Sequence, residues 1–123
     1  MPNYQNALPP LSLFAGDVGF SWNNEAFPTA PQAGAQFAVP EPAGLTDQGH
    51  TVRWQTIYGT APSAVNIRLQ GATADVDAEY ADIDTSTAAA GEARSVVGVR
   101  ARFLRVKLFS NTGGSGLTAK ILA

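Results

Sequence analysis

The residues best suited to chemistry are five carboxylates set close together: Asp75, Asp77, Glu79, Asp82 and Asp84. Acids at alternate positions 75, 77 and 79 bring hard oxygen ligands into one short segment, which is the donor chemistry of a Ca²⁺ site. An EF-hand loop counted from Asp75 needs Gly at its sixth position and Glu at its twelfth, where this chain has Tyr80 and Ser86. The EF-hand is thereby excluded. A solvated acidic loop is the plainer reading, with an irregular calcium site in a β-sandwich loop as its alternative. Two of the acids at the right separation would also make a glycosidase pair, but so small a domain has little cleft for a sugar chain.

Other chemistry is sparse. His50 is the one histidine. It opens a strand after Gly49 and reads as a surface or edge residue, whereas a nucleophilic triad needs a base beside its nucleophile. The absence of cysteine rules out disulfides and thiolate metal sites. Gly113-Gly114-Ser115-Gly116 is a turn, because no helix follows it to build a phosphate loop. The sequence therefore implies no enzyme, no cofactor and no structural metal. Arg94, Arg100, Arg102, Arg105 and Lys107 form a late basic cluster. It reads as the wet face of one or two strands, where cations also discourage edge pairing, and as a surface that meets a negative one: the acidic loop of a neighbouring copy, the acidic arm or another protein.

The elements that position these groups are strands. Val65, Ile67 and Leu69 alternate with Asn66, Arg68 and Gln70, and Leu104, Val106 and Leu108 with Arg105 and Lys107. This is the period of a strand with one dry face. In His50–Tyr58 the dry face is Val52, Trp54, Thr56 and Tyr58, with Arg53 and Gln55 opposite. Short strands are also expected at 79–84, 93–98 and 117–122. The alternation through Val99, Ala101 and Phe103 slips at Leu104, which a β-bulge or a crossing between sheets would explain. Residues 111–116 read as a hairpin connection. Seven or eight short strands with frequent turns predict an all-β fold, a small β-sandwich or jelly roll.

Composition divides the chain. Residues 1–52 carry no Lys or Arg, and seven of the eight prolines and six of the eleven aromatics fall before residue 45. Proline opposes helices and central strands, while aromatics with little charge are the opposite of a disordered tail. The expectation is an extended N-terminal arm over residues 1–44 and a sandwich domain over 45–123. Within the arm Val18, Phe20 and Trp22 alternate as a strand, and Phe37 and Val39 make a short pairing segment. The arm would dock Phe14, Phe20, Trp22 and Phe27 on a partner. A net charge of −2 argues against nucleic acid, and no stretch approaches the roughly 20 apolar residues of a membrane span. The start MPNYQNALPP shows no secretory leader.

From Val65 onward, VNIRLQGA, YADIDTST, GEARSV and RARFLRVKLFSNTGGS resemble a module common in tailed-bacteriophage virion proteins. In that module a VxLxG-type strand, a short second strand, a loop and an aRyLRv-type strand form a β-sandwich, distantly similar to discoidin and carbohydrate-binding modules. The resemblance implies a capsid decoration, or cement, protein, made in the host cytoplasm and assembled into the virion. Its partners would be the major capsid protein or other virion subunits, and it would itself be a homotrimer. Phe14, Phe20, Trp22 and Phe27 would supply adhesion, and Arg100, Arg102 and Arg105 would select an acidic surface. The alternative is a carbohydrate-binding or adhesion module of a tail or fibre, with Trp54 and Tyr58 as its stacking platform.

Overall fold

In the computed structural model, which describes residues 18–39 and 50–122, the predicted alternations become two antiparallel sheets packed face to face. The first sheet has the order β1 (Val18–Glu25), β9 (Ser115–Leu122), β4 (His50–Thr60), β7 (Glu92–Val99). The second runs β2 (Gln32–Ala33), β8 (Phe103–Thr112), β5 (Ala64–Ala72), β6 (Ala81–Ser86), and β3 (Phe37–Ala38) also pairs with β8. A single 3-10 turn, Asp77–Glu79, lies between β5 and β6, and the described residues contain no α-helix.

Period-2 patterning decides what fills the space between the sheets. Ile67 and Leu69 of β5 and Leu104, Val106 and Leu108 of β8 are fully buried, facing Val52 and Trp54 of β4 and Leu117, Ala119 and Ile121 of β9. Each large side chain so buried contributes roughly 1.5–3 kcal/mol. Thr56 continues the inward row of β4, and Tyr58 closes it, its ring centroid 5.7 Å from that of Phe27.

The slip near Leu104 is a crossing between sheets. β7 belongs to the first sheet and β8 to the second, and residues 100–102 carry the chain across, tied by Arg102 N–H to the carbonyl of Ala72 and by Val39 N–H to the carbonyl of Arg102. The segment at 111–116 differs from expectation in the same way: β8 and β9 do not pair, so it is a corner between sheets and not a hairpin. Gly113 and Gly114 turn that corner with φ of 72° and 91°, a region open to glycine at no steric cost.

The arm expected over residues 1–44 is corrected for residues 18–39, which lie inside the sandwich. β1 pairs with β9, and β2 and β3 pair with β8, so both sheets take their edge on this side from the Pro-rich region. Phe20 and Trp22 do not share a face, because β-bulges interrupt β1 between Phe20 and Trp22 and again before Glu25. Phe20 points outward, 45% exposed, while Ser21 and Trp22 both turn in. Phe14, the rest of residues 1–17 and the expected boundary at 44/45 lie outside the described residues.

Candidate interaction surfaces

Three of the arginines, Arg68, Arg94 and Arg105, meet carboxylates within the chain. On the outer face of the second sheet, β5 and β6 place Arg68 and Gln70 beside Asp82: Arg68 Nη1 lies 2.6 Å from Asp82 Oδ2, and Gln70 Nε2 donates to Asp82 Oδ1 at 2.9 Å. Arg105, next along on β8, donates through Nε to Gln70 Oε1 at 2.9 Å and through Nη1 to Asp77 Oδ1 at 2.7 Å. Its guanidinium also lies 3.9 Å from the centre of the Tyr80 ring. Tyr80 passes the chain of contacts on by donating its hydroxyl to Asp75 Oδ1 at 2.7 Å. Burial first, and then the Asp75 carboxylate, push the Tyr80 phenol pKa up, so it remains a donor. Hydrogen bonding from Arg105, followed by its charge, holds Asp77 below the usual carboxylate value. Arg105 is thus buried under the 73–80 loop; the expectation that it selects an acidic partner is corrected.

A second lattice closes the side of the sandwich where β6 and β7 belong to different sheets. Arg94 holds Asp84 with two donors, Nε to Oδ2 at 2.7 Å and Nη2 to Oδ1 at 3.1 Å, and Trp54 Nε1 donates to the same Oδ2 at 2.9 Å. Arg94 also reaches Glu92, whose other oxygen accepts from Ser86 Oγ at 2.6 Å. The stacking platform is corrected by this arrangement, since Trp54 is 1% exposed and bonded inward while Tyr58 packs on Phe27.

The remaining site residues are scattered. Trp22 is in the core and Phe27 is half-buried. Arg102 is exposed on the crossing between sheets, and Arg100 lies exposed beside it along an open cleft of about 420 Å³ lined by Ile83, Val96, Val99 and Ala101, with Glu79 on its wall. Asp75, Asp77 and Glu79 point to different partners, Tyr80, Arg105 and Thr73. Among the described residues no group of three or more His, Asp or Glu is placed to hold a metal ion.

One surface was not legible as a unit. Strand register puts Val18, Leu122, Arg53 and Ser95 in one row across the outer face of the first sheet, and Phe20, Lys120, Gln55 and Ala93 in the next, with Thr118 and Ile57 beyond. Val18, Phe20 and Ile57 are 61%, 45% and 39% exposed, and the rows contain two cations and no carboxylate. The signal was present in the alternation of β4 and β9, but only the register joins the strands.

No family model, curated protein or solved structure matches the chain. The surfaces therefore have to be interpreted by their own chemistry. Arg68, Asp82, Arg94, Asp84, Arg105 and Asp77 are committed to holding strands and loops together, and the outer face of the first sheet presents Val18, Phe20 and Ile57 beside two cations.

Proposed function

We propose that this is a structural protein of a tailed-phage particle, a decoration protein that binds and stabilises the head by surface contact. The observation that carries this reading is the commitment of Arg68, Asp82, Arg105, Asp77, Arg94 and Asp84 to intramolecular lattices, which leaves contact rather than catalysis as the work of the surface. The strand motifs quoted from Val65 onward supply the particle context. With Trp22 committed to the core, the head-binding arm narrows to residues 1–17, where Phe14 is the one large aromatic beside Tyr4. Burial of such side chains at the centre of a contact is the usual source of its affinity.

The test is co-sedimentation with heads of the phage that encodes the chain, stripped of this protein. Saturable binding by the full chain, lost on deleting residues 1–17 and weakened by Phe14→Ser, is the expected result. Failure of the full chain to bind, or equal binding by all three, would overturn it.

A further inference from the structure

The outer rows of the first sheet, which hold Phe20, Ile57 and two cations and no carboxylate, have a complement elsewhere on the same chain. The loop between β5 and β6 presents Val76, 55% exposed, between Asp75 and Asp77, with Glu79 one turn on. This tip is held in shape: Val76 N–H bonds to the carbonyl of Ala74 and Glu79 N–H to that of Val76, while Asp77 is bonded to Arg105 and Asp75 to Tyr80. Asp77 keeps 93% of its side chain exposed despite that bond. A preformed loop loses little freedom on docking. It offers an apolar knob ringed by carboxylates, and the sheet face offers Phe20 and Ile57 with Lys120 and Arg53.

The two surfaces cannot meet within one molecule, because the loop belongs to the second sheet and the face is the outer side of the first, with the core between them. We propose that the 73–80 loop of one copy docks on the outer face of the first sheet of the next, Val76 against Phe20 and Ile57, and the loop carboxylates against Lys120 and Arg53. Such a contact joins two different patches, so it propagates head to tail and closes as a ring when the rotation allows. Exposed ion pairs add little affinity of their own and are screened by salt. They set the register, while the apolar contact holds it. The inference goes beyond attachment to heads and needs only the free protein.

The absence of cysteine makes the test direct. Two single-cysteine chains, Val76→Cys and Gln55→Cys, are mixed and mildly oxidised, and the products are separated without reductant. The expected product is the mixed 76-to-55 dimer, at several-fold higher yield than from Thr87→Cys mixed with Gln55→Cys. Adding Lys120→Glu to the Gln55→Cys chain should remove the excess, and Glu79→Lys on the Val76→Cys chain should restore it. All these positions are surface groups, and circular dichroism checks that the fold is kept. A yield no higher than the Thr87 control, or a predominance of 55-to-55 dimers, overturns the proposal whatever the result with heads.

Discussion

The indole Nε1 of Trp22 donates to the main-chain carbonyl of Val106 at 3.0 Å, in the gap between β2 and β3 where β8 lacks a strand partner. Ser21 fills the other half of the gap, its Oγ accepting from Val106 N–H at 2.8 Å and donating to the carbonyl of Ala35 at 2.9 Å. Gly34 N–H adds a second bond to the Val106 carbonyl. A strand of the first sheet therefore completes the edge of the second, and unsatisfied main-chain groups are avoided at a buried site.

Trp22→Ala should destabilise the fold by roughly 3–5 kcal/mol, the usual range for a large aromatic removed from a core. Trp22→Phe should cost less, at the low end of roughly 1–3 kcal/mol for a lost hydrogen bond, because Gly34 still serves the carbonyl. Gly34→Ala should resemble the larger loss, since a Cβ there would stand 2.4 Å from the Ser21 carbonyl oxygen and 2.6 Å from Trp22 Nε1. Denaturant melts of the three variants check the order.

Truncation tests which part of the Pro-rich region the sandwich needs. A chain starting at residue 18 keeps every described strand and should melt cooperatively with the β-sheet circular dichroism of the full chain. A chain starting at residue 45 loses β1, β2 and β3 together with the core side chain of Trp22, frees the edges of β9 and β8, and should be unfolded or aggregate. A cooperative melt from the shorter chain would show that these three strands are dispensable.

Alternation in the sequence was enough to identify the core of β4, β5 and β8, because Val52, Trp54, Ile67, Leu69, Leu104 and Val106 each alternate with outward polar residues and are buried between the sheets. It failed at β1, where two bulges put Ser21 and Trp22 on the same side and proline-rich flanks resembled a linker. It also placed Arg105 correctly on the outward face and yet misjudged its exposure. The covering is a loop folded back from β5, and the contacts of Asp77 and Tyr80 with Arg105 span 28 and 25 positions of sequence, beyond the reach of any local pattern. The face spanning β1, β9, β4 and β7 was hidden for the same reason, since its rows exist only once the strands are in register.

Arg105→Lys should fail to substitute. The guanidinium serves Gln70 and Asp77 through separate nitrogens while lying flat on Tyr80, and an ammonium has neither the fork nor the plane for that combination. Both Arg105→Lys and Arg105→Ala should lose roughly 1–3 kcal/mol. Protease cleavage within residues 73–80 should rise in both, because the loop loses its anchor; an unchanged cleavage rate would mean that the loop is held by other contacts.

Stability should fall on the acid side through carboxylates whose folded pKa is depressed. For Asp84 burial is the strongest single influence and raises its pKa, but hydrogen bonds from Arg94, Trp54 and the Thr85 N–H, with the charge of Arg94, together outweigh it and hold the carboxyl below its ordinary value. Asp82 is lowered chiefly by the Gln70 hydrogen bond and then by Arg68, and Asp77 by Arg105. A depressed pKa means that the unfolded chain binds protons first, so the stabilisation is whole above the unfolded value and drains away as pH falls through the folded ones. Melting temperature should hold from neutral pH down to about 5 and then drop steeply from about 4 downward, where ordinary carboxylates begin to titrate. Asp84→Asn keeps an acceptor for Trp54 but not the charge that Arg94 binds, so it should melt lower than the parent at neutral pH, by roughly 1–3 kcal/mol. The gap between variant and parent should then narrow as both are taken to acid, since the parent is losing the interaction that the variant never had. A gap that stays constant from pH 7 to pH 2 would show that ionisation of Asp84 does not contribute to the fold.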